Sequence, residues 1–378
     1  MTEAVDQGAF MAATLDPEDL ILNFDPSAPL RRFRAAGVEA AFILPQAMLP
    51  HPIPWPRGTQ PIPEPLAPAP AESAALSGFH GYDALVITWT ATEASALAAL
   101  LTPGHPLSTW YEYRHGIGRY LPLVTGERAP FNDADWEMRR YHHSLGLYFP
   151  CRIGPARVLL FKSGLHLDYD GPALPLRRLI RELARTVAPK VLITTGTAGG
   201  IGKQVKLGDV VIAGAVRFDC RTQFRTRPWA RASYRPAQLP EGALKAIAPR
   251  LTGVNAVRIP GARLRPHVYC GPSDALVTTD FFAFDDSTDH YGLQGSGRAC
   301  DMGDAIVANA LQDFPDIRWY SIRNASDPQI PNPSHDIAQA ARQAAEIYSR
   351  YGALTTAASV IATWALIRAA SAAWVSPA

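Results

Sequence analysis

From residue 84 onward, short runs of β-branched and apolar residues alternate with helical stretches. That alternation restricts the possible folds more than any other feature. ALVITWT (84–90), ARVLLFKSG (156–164), KVLITTGTAGG (190–200) and GDVVIAGAVRFD (208–219) read as buried strands, the third running into a small-residue turn. RPHVYCG (265–271), DALVTT (274–279) and IRWYSIRNASDP (317–328) read as later strands. TEASALAALL (92–101), PLRRLIRELARTVAP (175–189) and DAIVANALQDF (304–314) read as helices, as do the last forty residues. Strands separated by helices predict an α/β layered fold with a largely parallel sheet. In such sheets ligands sit at the carboxyl ends of the strands. The residues to inspect are therefore Thr92-Glu93, Ser163-Gly164, Thr195 to Gly200, and Arg323 to Asp327.

The N-terminal part differs. Residues 44–72 carry ten prolines, each fixing φ and removing a donor, so neither a helix nor an inner strand can form there. The chain divides into an extension (1–43), with a short helix expected over 28–43, a proline-rich connector or surface strap (44–75), and one domain (76–378). Residues 353–374 are apolar enough to suggest a membrane span, but Arg368, the threonines and many small residues favour a buried terminal helix. The formal charge of +2 argues against a nucleic-acid or membrane-surface partner. Cys151, Cys220, Cys270 and Cys300 are scattered, which predicts reduced thiols, no zinc site and a cytoplasmic location. The start of the chain lacks a signal-peptide core.

TTGTAGGIG (194–202) fails both phosphate-loop patterns: Gln204 follows Lys203, and Ala198 stands where a second glycine is needed. On its residues alone it is either a plain tight turn or a ligand-binding one. Ser326-Asp327 at a strand exit is either a helix cap or a carboxyl positioned to protonate a leaving group. Glu93 supplies a second carboxylate across the same crevice. His142-His143 have no metal-ligand spacing, and His166 reads as a surface or supporting residue, with a place near the substrate as the alternative. Asp285, Asp286 and Asp289 lack calcium-loop spacing and read as a solvated loop.

KSG (162–164), TTGTAGG (194–200), LGDVVI (207–212), DM (301–302) and RNASDP (323–328) together resemble the nucleoside phosphorylase/nucleosidase superfamily over residues 82–370. The resemblance implies a three-layer αβα fold with a mixed, largely parallel central sheet. It implies cleavage of an N-glycosidic bond in a small-molecule purine nucleoside or nucleotide by a homo-oligomer, without metal or cofactor. By the same resemblance Asp327 protonates the base, Ser326 supports it, Arg323 orients the acidic cluster and Glu93 activates water. Ser163, Thr195, Gly196 and Thr197 would lie near water, phosphate or ribose, Met302 against the ribose, and Leu276 and Val277 at the purine edge with Phe281 or Phe282 nearby. Where the family pattern is Glu-Met-Glu, this chain has Asp301-Met302-Gly303. Either Asp304 takes over the grip on the sugar hydroxyls, which is the favoured expectation, or the sugar is modified.

Hydrolysis is favoured over phosphorolysis by the KSGLH segment and Glu93. Arg157, Arg217 and the Arg-rich stretch 221–235 keep inorganic phosphate, or a phosphate on the substrate, open. A non-catalytic nucleoside or nucleotide sensor is the alternative from a different class.

Overall fold

The structure is a computed structural model, and it describes residues 53–124, 144–167, 170–251 and 261–375. The extension, its expected helix over 28–43, and His142-His143 lie outside the described residues. The strands are β1 (Pro61–Pro63), β2 (Ala84–Thr88), β3 (Tyr111–Tyr113), β4 (Gly146–Ile153), β5 (Ala156–Ser163), β6 (Val191–Gly200), β7 (Val210–Ile212), β8 (Ala215–Asp219), β9 (Ser233–Tyr234), β10 (Val268–Tyr269), β11 (Ala275–Thr279), β12 (Ala299–Asp301) and β13 (Arg318–Asp327). The principal helices are α1 (Ala91–Leu101), α2 (Pro175–Val187), α3 (Ala243–Leu251), α4 (Asp304–Leu311) and α5 (Ile337–Val375).

The sheet runs β1-β4-β5-β2-β6-β12-β11-β8-β9, with β13 also paired along β6. Its centre is parallel: β2 pairs with β5 and β6, and β13 with β6. β4 and β1 add antiparallel strands at one edge, and β12 meets the end of β6 antiparallel. Alternation along the strands decides the layers. Leu85, Ile87, Leu159, Phe161 and Leu192 face a core closed by α2 and α4. Ala84, Val86, Val158, Leu160 and Ile193 face a second core closed by α1, α3 and α5. The result is a three-layer αβα fold around a mixed, largely parallel sheet.

Local signals set the helices. α1 starts in a capping box, in which Thr90 and Glu93 each accept a backbone N–H of the other. α2 starts on Pro175 and buries Leu176, Leu179, Ile180, Leu183 and Val187, one stripe at helical spacing. The stretch Arg350–Ser371 of α5 is long and apolar enough to cross a membrane, yet most of it is buried inside the fold.

Two expectations need correction, and one strand was not expected. TTGTAGG is not a turn, because β6 stays extended to Gly200 in register with β13. Its small residues instead allow close approach: a Cβ on Gly199 would lie 3.0 Å from Cys300 Sγ and 3.1 Å from Asp327 Oδ2. The stretch 208–219 is two strands and not one: Ile212 pairs with β13, whereas β8 pairs with β11. β4, in GLYFPCRI (146–153), has no counterpart among the expected strands; Pro150 interrupts its apolar run, and its partners lie on β5 and β1.

The described part of the connector contributes an edge strand, β1, which pairs with β4, as its prolines allow. It is tied to the core by Trp55, whose ring lies 4.6 Å from that of Trp364, and by Trp364 Nε1, which donates to the Thr59 carbonyl at 2.7 Å. Trp364 is fully buried. Trp364→Ala is expected to lower the unfolding free energy by ~3–5 kcal/mol, read from urea denaturation.

Candidate functional site

A cleft of about 560 Å³, open mouth included, lies where β2, β6 and β13 end. β2 stops at Thr88, and the chain then places Trp89, Thr90 and Glu93 on the wall. β6 contributes Thr197, Ala198 and Gly199; β13 contributes Arg323, Ser326 and Asp327. Cys300 to Gly303, Phe282, Ala283, His166 and Tyr348 complete the lining.

One cation organises the floor. Arg323 donates from Nε and Nη2 to the two oxygens of Asp304, at 2.9 and 2.6 Å. Nη2 also reaches Asp301 Oδ2 at 3.4 Å, and Nη1 reaches Glu93 Oε1 at 3.4 Å. Its guanidinium lies 4.7 Å from the centre of the Trp89 ring. Burial opposes the charge on Arg323, but Asp304, Asp301 and Glu93 outweigh it and hold the group above its usual range. Burial, and then the charge of Asp304, lifts Asp301 to about 7.

Glu93 sits in a tight cradle. Oε1 accepts from Thr197 N at 2.7 Å and Thr197 Oγ1 at 2.8 Å, besides Arg323. Oε2 accepts from Thr88 Oγ1, Trp89 N and Thr90 N at 2.7, 2.9 and 3.0 Å. A carboxylate has about four lone-pair sites, so these contacts saturate it. Gly196 is glycine for this reason: it has φ +150°, and a Cβ there would lie 2.2 Å from Glu93 Oε1. Glu93 is thus both the capping residue of α1 and a charged wall of the cleft.

Asp327 is the contrasting carboxyl. Ser326 Oγ donates to its Oδ1 at 3.0 Å, and among the described residues no other group hydrogen-bonds its side chain. Burial raises it from 3.8 to about 7, with Ser326 opposing weakly. Burial likewise pushes the neighbouring Cys300 thiol well up, so it stays protonated. His166 is held near 3 by burial, Arg323 and Lys162, and is therefore neutral.

The cleft brings together Glu93, Thr197, Asp301, Met302, Arg323, Ser326 and Asp327 from the sequence-derived set. It does not bring in the others. Ser163 closes a local turn, donating to the Leu165 carbonyl at 2.7 Å. Thr195 accepts from Thr363 behind the sheet at 2.8 Å. Leu276 and Val277 are fully buried in core clusters, and Phe282, not Phe281, lines the cleft. Asp304 is also absent from the lining, because both of its oxygens turn inward onto Arg323; the expectation that it grips a sugar is corrected.

His166 is a buried lining residue, not a surface one. Asp285 and Asp286 are buried too, not solvated: Asp285 accepts from Gly202 N, and Asp286 from Asn332 Nδ2, both at 2.7 Å. Trp89, Cys300 and Tyr348 were not singled out from sequence. Trp89 directly follows a strand end, the one signal that pointed to it, whereas nothing marks Tyr348 within its long helix.

A model of the family described as "Phosphorylase superfamily" matches residues 126–357. No curated protein matches the sequence. Similar solved structures include the 5'-methylthioadenosine/S-adenosylhomocysteine nucleosidase of Neisseria meningitidis in complex with methylthio-immucillin-A (16% identity, TM-score 0.47, 76% of this chain and 99% of that one). The corresponding enzyme of Colwellia psychrerythraea 34H with adenine gives 15% and 0.47, over 77% and 96%. Futalosine hydrolase of Helicobacter pylori gives 13% and 0.46, over 74% and 97%.

The charged floor makes a prediction about stability. Arg323→Gln leaves buried carboxylates without their cation and is expected to cost ~3–5 kcal/mol in chemical denaturation. Asp304→Asn, which keeps the shape and loses the charge, is expected to destabilise measurably but less.

Proposed function

The chain belongs to the phosphorylase superfamily, and from that premise we propose that it hydrolyses the N-glycosidic bond of a purine nucleoside, with Asp327 as the general acid. The observation that carries this reading is the state of Asp327. It is a buried carboxyl in the cleft, raised to about 7, and among the described residues only a serine hydroxyl is bound to it. Such a group holds its proton near neutrality and can pass it to a ring nitrogen of the departing base. A neutral base leaves more easily than an anion, and help of this kind is worth ~10²–10⁴-fold.

The sugar left behind develops positive charge. Glu93, across the cleft, faces that charge with a carboxylate fixed by its cradle, so its field needs no reorganisation during the reaction. Saturation of its lone pairs leaves it no free site for a hydrogen bond from water. Its role is to stabilise the cationic sugar; water adds to the sugar carbon, and the protonated oxygen so formed gives its extra proton to solvent at the open mouth of the cleft.

Water is favoured over phosphate by the charges. Among the described residues that line the cleft, Arg323 is the only arginine or lysine, and it is occupied by carboxylates. Anion binding needs donors free of other partners. The arginines that kept phosphate open from sequence lie elsewhere. Arg157 donates to the Gly81 carbonyl, Arg221 and Arg231 both pair with Asp219, and Arg217 lies on β8 outside the lining.

Purine release, followed by mass detection, is expected to be the same with and without inorganic phosphate; dependence on phosphate would overturn the hydrolytic reading. Asp327→Asn is expected to lower kcat by ~10²–10⁴-fold with the fold intact. Because the acid must be protonated, kcat/KM of the wild type is expected to fall as pH rises through about 7.

The same shift appears in stability. The folded-state value is raised from 3.8 to about 7. The wild type therefore loses stability, relative to Asp327→Asn, as pH rises across that window, and the difference levels off above it. Thermal unfolding of both proteins at several pH values checks this.

A further inference from the structure

The outer face of α3 borders a second concavity, away from the cleft. Ala246, Ile247 and Leu251 turn into the core shared with α5. Leu244, Ala248 and Pro249 are exposed and line a groove of about 1250 Å³, open mouth included. Val268, Arg263 and Arg265 line it as well.

Two properties separate this groove from ordinary surface. The first is apolar exposure. Among the described residues three large apolar side chains are exposed, and two of them are here: Leu244 at 42 %, and Leu264, between the two arginines, at 80 %. Exposed apolar side chains that cluster mark a contact surface, whereas scattered ones do not. The second property is charge. Among the described residues that line the groove none is Asp or Glu. Arg263 pairs with the buried Asp209 at 3.2 Å, but Arg265 is exposed, and so is Lys245 next to Leu244.

Such a groove fits an acidic segment with apolar side chains, and this chain carries one. Residues 15–26 read LDPEDLILNFDP, with four acids, five large apolar side chains and no Lys or Arg. The described chain also begins beside α3. Trp55 lies 4.6 Å from the ring of Trp364, and the guanidinium of Arg250, near the end of α3, lies 4.8 Å from the same ring. Leu244 stands six residues before Arg250, about 9 Å along the helix. Even at random-coil dimensions, the 26 residues from 27 to 52 span about 30 Å, more than that distance.

We propose that residues 15–26 dock in the α3 groove of the same chain, with their acids against Arg265 and Lys245 and their apolar side chains against Leu244, Ala248 and Leu264. The tether holds the segment near the groove at a high effective concentration, so individually weak contacts suffice. A second copy of the folded domain is a poorer occupant. A two-fold contact through this face would set its cations against their own counterparts.

The test is hydrogen exchange of the full chain, read by mass spectrometry on peptides that cover residues 15–26. The groove is altered by Leu264→Asp combined with Arg265→Glu. Both side chains are exposed, so exchange in β6 and β13 is expected to stay as in the wild type, which checks the fold. Amides of residues 20–25 are expected to exchange at least about tenfold more slowly in the wild type than in the double variant. Leu244→Gln, a milder change on α3, is expected to speed their exchange too, and it covers the case in which the double variant does not fold. Unprotected amides in the wild type, or protection that neither variant alters, overturns the proposal. Protection that weakens on dilution overturns it as well, because it would assign the segment to a second copy.

Discussion

A guanidinium buried at full charge has to be answered by carboxylates, and at Arg323 that requirement organises everything around the cleft. Asp304 meets it in two parallel hydrogen bonds, and Asp301 and Glu93 complete the shell. These partners come from separate places: the start of α4, the end of β12 and the first turn of α1. The ion cluster therefore fixes how β2, β12 and β13 end relative to one another. Removing the cation would leave buried negative charge, so the arrangement is costly to break even if its net contribution to folding is small.

The cluster also divides the acids by their partners. Glu93 and Asp304 are tied down by donors, and Asp301 is held by Thr278 and by the backbone at the start of α4. Asp327, on the same strand as Arg323 but outside its hydrogen-bonding reach, meets mainly burial. Burial raises both Asp301 and Asp327, but Asp301 is bound by Thr278, two backbone N–H groups and Arg323, whereas Asp327 has Ser326 as its side-chain partner among the described residues. Close backbone approach makes this geometry possible: Gly196 lets Glu93 lie against β6, and Gly199 lets Cys300 and Asp327 meet.

Much of this was legible in the residues. The α/β layering followed from alternating apolar runs, because a strand buried on both faces has little choice of surroundings. Asp327, Ser326, Arg323 and Glu93 were found because they follow apolar runs, and strand ends in such sheets converge. Asp304 was misread because sequence distance says nothing of side-chain direction: one residue past Gly303 begins a helix, and the side chain turns inward to Arg323. Ser163, Thr195, Leu276 and Val277 failed similarly, being near the cleft in sequence but directed into turns or cores. β4 was missed because its proline disguises a strand whose partners supply the order.

By itself the sequence determined the layer architecture, the edge position of the proline-rich segment and the set of carboxylates available for chemistry. All three follow from local properties: periodicity, the missing proline donor and residue type. Only the tertiary structure decided which carboxyls burial raises, which are bound by Arg323, and that an indole edge fills the space beside Gly303. Those outcomes depend on burial and on distances between residues as far apart as Glu93 and Arg323. Such distances exist only once the chain has closed on itself.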